Sequence, residues 1–191
     1  MKLISFEQNG SNRIGAIENG FIYDFHSIDS NISDSMLGFL QGGEVQMNLA
    51  NKAIDGGKTS IPVDSVKLLS PLSNPPSVRD AYAFRQHVAT ARKNRGLEMI
   101  PEFDEIPIFY FTNHNAVFGP GNFPVLKRHT EKLDFELECA AVIGKAGRDI
   151  PVSEADNYIT GFMIMNDFSA RALQMQEMKL NLGPAKGKDF G

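Results

Sequence analysis

Residues 133–144 read "LDFELECAAVIG", and this alternation narrows what the chain can become more than any other stretch. Asp134, Glu136 and Glu138 alternate with Phe135, Leu137 and Cys139, and the run continues as Ala140, Ala141, Val142, Ile143 and Gly144. A period of two is the pattern of an extended strand, whose residues two apart share a face. The three carboxylates therefore line one side, with neighbours roughly 6.5–7 Å apart. At an effective dielectric near 20, each adjacent pair of charges repels by about 2 kcal/mol. Either water solvates that face or cations sit against it, and the strand alone leaves both readings open. Cys139 falls on the opposite face and is expected in the core.

The wider composition restricts the possible partners. Of 191 residues, 42% are hydrophobic and 22% charged, enough for an ordinary core. The formal net charge is −4, with no block of Lys or Arg, which argues against nucleic acid as a partner. Cys139 is the sole cysteine, so neither an internal disulfide nor a cysteine zinc cage is available. No apolar run approaches a membrane span, and the opening "MKLISFEQNG" lacks a signal core, so a cytoplasmic location without membrane association is expected.

Along the chain, "KLISF", "RIGAI" and "FIYDF" are short apolar or alternating runs separated by "NGSN" and "NG". Asn-Gly tolerates the positive φ of tight hairpin turns, so a β-meander is expected. Residues 34–55 read as helices broken at Gly42-Gly43 and closed by Gly56-Gly57. The punctuation "SPLSNPPS" at 70–77 suggests a boundary between a small N-terminal β-rich domain, 1–70, and a second domain, 71–191. A helix is expected from about Asp80 to Arg95, with Asp80, Phe84, His87 and Ala91 on one face. "IPIFYFT" (106–112) and "YITGFMIM" (158–165) read as strands, the latter ending at Asn166-Asp167. "FSARALQMQEMK" has helical propensity. The fold class is α+β, mainly β.

Asp80 and Asp167 would occupy element junctions, either capping helices, as Asp does well, or reaching a cation beside the acidic strand. Hard divalent cations such as Mg²⁺ or Ca²⁺ take oxygen ligands and suit a carboxylate set better than zinc or copper does. His87 could pack or act as a general base. Arg171 and Gln174, four and seven residues beyond Asp167, could line one helical face, as a polar surface or as part of a site. "GPAKGKDF" lacks the spacing and hydroxyl residue of a phosphate-binding P-loop.

Taken together, "RDAYAFRQHV", "RGLEMIPEF", "LDFELECAAVIGK", "GFMIMNDFSARALQ" and "LGPAKGKDF" resemble, in order, the fumarylacetoacetate hydrolase family. The Arg-Gln-His segment resembles its fumarylacetoacetase-like branch. The resemblance implies a mixed β-roll preceded by a small β-rich domain, with this chain as the front portion of a longer, homodimeric enzyme. It implies Asp80, Glu136, Glu138 and Asp167 as ligands of Mg²⁺ or Ca²⁺, with Asp134 not among them. His87 matches the water-activating base, and Lys188 a lysine that stabilises the developing anion. Tyr82, Arg95, Tyr110 and Gln174 match substrate contacts, and Arg171 a supporting residue. Met178 stands where fumarylacetoacetases carry a tyrosine. The activity implied is metal-dependent hydrolysis of a carbon–carbon bond in a small 1,3-diketo acid. Decarboxylation, isomerisation or hydration of oxo acids on the same scaffold, a non-catalytic metal- or oxo-acid-binding fragment, and a partner-binding β-domain are the alternatives.

Overall fold

The computed structural model describes residues 1–57, 60–181 and 183–191. Three strands open the chain: β1 (Lys2–Gln8), β2 (Ser11–Glu18) and β3 (Phe21–Asp24). They form the expected meander, with Gln8 opposite Ser11 and Glu18 opposite Phe21. Both connections are two-residue turns in which Asn and Gly have positive φ: 53° and 76° at Asn9-Gly10, 51° and 82° at Asn19-Gly20. That is the type I′ pattern, whose twist matches the flanking strands.

β4 (Ser60–Pro62) and β5 (Lys67–Leu68) complete a five-stranded sheet in the order β4-β3-β2-β1-β5. Between β3 and β4 lie α1 (Phe25–Ile28), α2 (Met36–Gln41) and α3 (Gly43–Asp55), and the break between α2 and α3 falls at the expected glycine pair. Asp24 caps α1 by accepting from the Ser27 amide, and Ser35 caps α2 by accepting from that of Gly38. The helices cover one sheet face, where Ile14 and Ala16 meet Phe25, Ile32, Met36, Phe39, Ala50 and Ala53. Ile4, Phe6 and Ile22 form a second cluster with Ile61, Val63, Val66 and Leu68. Phe25 and Phe39 stack with centroids 5.5 Å apart.

The remaining residues build two antiparallel pairs. β6 (Val78–Ala81) pairs with β7 (Phe109–Thr112), placing Asp80 opposite Tyr110. β8 (Leu133–Ile143) pairs with β9 (Ile159–Ala170) along its length, placing Glu136 opposite Asp167 and Glu138 opposite Met165. The helices here are α4 (Arg85–Asn94), α5 (Glu102–Glu105) and α6 (Arg171–Glu177). The mixed α+β, mainly stranded architecture is as expected. No helix among the described residues is long and apolar enough to cross a membrane.

Three local expectations are corrected. Asp80 lies in a strand, not on the face of a helix shared with His87, because its backbone pairs with Tyr110 and α4 begins only at Arg85. β9 runs five residues past Met165, so Asp167 is a strand residue and neither a helix cap nor a neighbour of Arg171 on a helical face. Pairing with the long acidic strand overrides the helical propensity of "FSA". Cys139 is exposed, not core. Its face of β8 continues through Leu137 at 72% exposure and faces solvent with Ile164 of β9 at 78%.

Candidate metal and oxo-acid site

Alternation aims Asp134, Glu136 and Glu138 of β8 to one side, and the register with β9 brings Asp167 beside them. Asp80 reaches the same place from β6. Asp80, Glu138 and Asp167 each contribute a carboxylate oxygen, and the three atoms lie within 4.8 Å of one another. Ligands of one hard cation, at about 2.0–2.6 Å from its centre, can be separated by at most about twice that distance. The set is all oxygen, so its chemistry and spacing fit a divalent cation of the Mg²⁺, Mn²⁺ or Ca²⁺ kind.

The other acids have different partners. Arg171, the first residue of α6, donates from Nε to Asp134 Oδ2 at 3.0 Å and from a terminal nitrogen to Glu136 Oε1 at 2.7 Å. It also donates to Gln174 Oε1 at 3.1 Å. The Lys188 ammonium, only 4% exposed, bonds Asp167 Oδ2 and lies 3.0 Å from Glu136 Oε1. Glu136 thus turns to two cations and lies outside the close carboxylate trio. The row on β8 divides into Asp134 and Glu136, neutralised by Arg171 and Lys188, and Glu138, which has Asp80 and Asp167 nearby. Five carboxylates converge on two cations, leaving an excess of negative charge.

That excess shows in the proton affinities. Burial, reinforced by the charges of Asp80, Asp167 and Glu136, pushes the Glu138 carboxyl up to about 7. Asp167 is likewise raised, chiefly by burial, although Lys188 pulls the other way. Burial would also raise Glu136, but hydrogen bonds from Arg171 and Lys188 outweigh it and hold that carboxyl below its ordinary value. Asp134 is lowered by the Phe135 amide and then by Arg171. Burial works to deprotonate Lys188, yet Asp167 and Glu136 prevail and leave it raised. The ammonium is therefore a fixed cation at the edge of the trio.

Tyr110 Oη donates to Asp80 Oδ2 at 2.6 Å and lies 3.2 Å from Asp167 Oδ2. Burial and these carboxylates raise its pKa, so the hydroxyl stays protonated and acts as a donor. It ties together two acids from different sheets. The Tyr82 and His87 rings lie beside each other, with centroids 6.4 Å apart. His87 helps line an open concavity of about 540 Å³ with Ala83, Phe84, Arg85, Gln86 and Thr90. Arg95, at the end of α4, donates to the Ala91 carbonyl at 3.1 Å. Among the described residues, no hydrogen bond links Tyr82, His87 or Arg95 to the trio. Structure also adds Glu177 and Asn113, which hold the loop carrying Lys188. Glu177 follows Gln174 by three residues, so it shares a helical face with it, a signal readable beforehand. Asn113 had no local signal.

Comparison with known proteins adds three findings. Residues 77–191 match the family model described as "Fumarylacetoacetate (FAA) hydrolase C-terminal". The mitochondrial oxaloacetate tautomerase Fahd2a of Rattus norvegicus is 28% identical over 160 residues, covering 84% of this chain and 49% of that protein. The chain spans about half the length of the curated relatives it matches. Among solved structures, a fumarylacetoacetate hydrolase from psychrophilic Exiguobacterium antarcticum superposes with a TM-score of 0.66 at 29% identity, over 99% of this chain and 62% of that one. The maleylpyruvate hydrolase of Sphingobium sp. SYK-6, solved with manganese(II) and pyruvate, has a TM-score of 0.66 at 19% identity, over 90% of this chain and 60% of that one. That last likeness is one of fold.

Proposed function

Because the chain belongs to the fumarylacetoacetate hydrolase family, we propose that it carries the metal- and oxo-acid-binding residues of an enzyme that hydrolyses a carbon–carbon bond in a small 1,3-diketo acid. The observation carrying this reading is the trio Asp80, Glu138 and Asp167 beside a buried, protonated Lys188. Such a bond breaks only if the departing carbon is held as an enolate. A divalent cation, Mg²⁺ or Ca²⁺ in this reading, supplies Lewis-acid stabilisation of substrate oxygens when bound. Lys188 offers a fixed positive charge to the developing anion, already oriented by Asp167 and Glu136. Glu136 joins the ligand set if Arg171 and Lys188 release it. Arg171 holds Asp134, Glu136 and Gln174 in place. His87, exposed beside the concavity of α4, takes the proton of the attacking water, a role typically contributing ~10²–10⁴-fold. Tyr82, Arg95, Tyr110 and Gln174 contact substrate in the same reading. A cytoplasmic homodimer completes it, and the exposed apolar faces of β7, β8 and β9 support association.

A second reading is tautomerisation or isomerisation of an oxo acid, supported by the tautomerase name of the rat relative. The two separate experimentally. Hydrolysis of an acylpyruvate consumes water and yields two acids, whereas tautomerisation only converts enol to ketone. With Mg²⁺ or Mn²⁺ present, hydrolysis is expected in the unaltered protein and lost in His87→Ala, with metal binding kept. Enol–ketone conversion without cleavage, unaffected by His87→Ala, selects the second reading.

A further inference from the structure

The loop that delivers Lys188 is tied at several points, and one of its ties uses a charged side chain with no part in the proposed chemistry. Glu177, the last residue of α6, accepts from two successive backbone amides with its two carboxylate oxygens. Oε2 takes the Lys186 N–H at 2.6 Å and Oε1 the Gly187 N–H at 3.0 Å. An anion accepting from paired amides makes charge-assisted bonds, stronger and better oriented than neutral ones. Gly187 is pressed against the same helix, where an added Cβ would lie 2.8–3.0 Å from Gln174 backbone and side-chain atoms. Its carbonyl accepts from the Ala170 amide at 2.7 Å. Asn113 donates to the Asp189 carbonyl at 2.7 Å, and Phe190 stacks on the buried His129 with centroids 4.1 Å apart.

These ties bracket Lys188 on both sides. We infer that Glu177 is a positioning residue: by clamping the Lys186 and Gly187 amides it seats the loop on α6 and so aims the Lys188 ammonium at Asp167 and Glu136. The inference rests on the proposed function only for what Lys188 does there, not for where it sits. A lysine has four rotatable bonds and would otherwise favour water. The clamp holds the residue just before it, where a small displacement of backbone moves the ammonium most. Among the described residues Glu177 makes no hydrogen bond to the carboxylate trio, so it acts through Lys188.

The test labels lysines in the unaltered chain and in Glu177→Gln with an amine-directed acylating ester, mapped by mass spectrometry. A glutamine offers one acceptor oxygen and sets its NH₂ against the second amide. Acylation of Lys188 is expected to quicken about tenfold, in keeping with the loss of one charge-assisted bond. Exposed lysines such as Lys67 and Lys179 should keep their rates, and the Lys186 and Gly187 amide proton resonances should move upfield. A general weakening of the fold, read as a fall in Tm large enough to expose Lys188 by unfolding alone, would overturn the inference, as would a Lys188 that stays protected. If Glu177→Gln does not fold, Glu177→Asp, which keeps the charge but shortens the reach, decides on the same readout. Failure of every form to turn over an oxo acid would sink the proposed function, while the labelling would still decide the role of Glu177.

Discussion

The two parts of the chain solve opposite problems with the same kind of strand. In the five-stranded sheet, alternation sends Phe6 and Ile22 inward, and Phe25, Phe39 and Ile32 of the helices and loop that cover it are fully buried as well. Beyond residue 70, Val88 and Ala170 are the only buried apolar side chains among the described residues, while Asp167, Ser169, Lys188 and His129 are buried polar ones. There the strands turn carboxylates toward a lysine carried on a loop and leave Phe111, Leu137, Phe162 and Ile164 facing outward, each at least 65% exposed. Hydrophobic burial holds the first part together. The second concentrates like charges at a cost, the arrangement of a site and not of a core.

The largest expected effect tests the first part. Phe39→Ala removes a stacked, buried ring and should cost ~3–5 kcal/mol, enough to unfold the five-stranded sheet. A loss under 1 kcal/mol by urea denaturation would show that the sheet does not depend on that core. Next is metal. Mg²⁺, Mn²⁺ or Ca²⁺ at about a hundred times its Kd should add ~2.7 kcal/mol, a rise of roughly 5–10 °C in Tm. Glu138→Gln should remove most of that gain and Asp134→Asn little, because Asp134 belongs to Arg171. Equal losses in both variants would erase the division of the acidic row.

A smaller effect is pH dependence without metal. Glu138 is raised from 4.5 to about 7, so the folded state holds its proton more tightly than the unfolded state does. Its contribution to stability is complete below pH 4.5 and is lost as pH rises toward about 7. Glu136, lowered by its cations, contributes in the opposite sense, above its ordinary range. The Tm of the metal-free chain should therefore fall between pH 5 and 7, and Glu138→Gln should flatten that fall. Smallest in stability is Ile164→Ser on the outward face, within ~0.5 kcal/mol. It should nevertheless reduce self-association seen by light scattering, since large exposed apolar patches favour contact. A costly Ile164→Ser would mean that this face is packed after all.

The features legible beforehand were those governed by neighbours in sequence. Both Asn-Gly turns, the helix break at Gly42-Gly43 and the long acidic strand follow from local φ preferences and a period of two. Positions fixed by distant pairing were misread. Asp80 looked helical beside the helix-forming run after it, yet a bond network with β7 makes it a strand residue. Asp167 looked like a helix cap because the preceding apolar run ends at Met165, and its pairing with Glu136 was invisible locally. Cys139 looked buried because an alternating strand was assumed to be covered on its apolar side.

Sequence by itself determined that Asp134, Glu136 and Glu138 share one side, since the geometry of an extended backbone allows nothing else. It also carried the family, through motifs spread over residues 77–191. Only the tertiary structure decided that three chemically similar acids, two residues apart, differ in role. Arg171 is 37 residues from Asp134, Lys188 is 21 from Asp167, and Asp80 and Asp167 meet across Tyr110, 30 and 57 residues away. A carboxylate's charge state and partners depend on what lies within a few ångströms, and folding, not spacing along the chain, sets that neighbourhood.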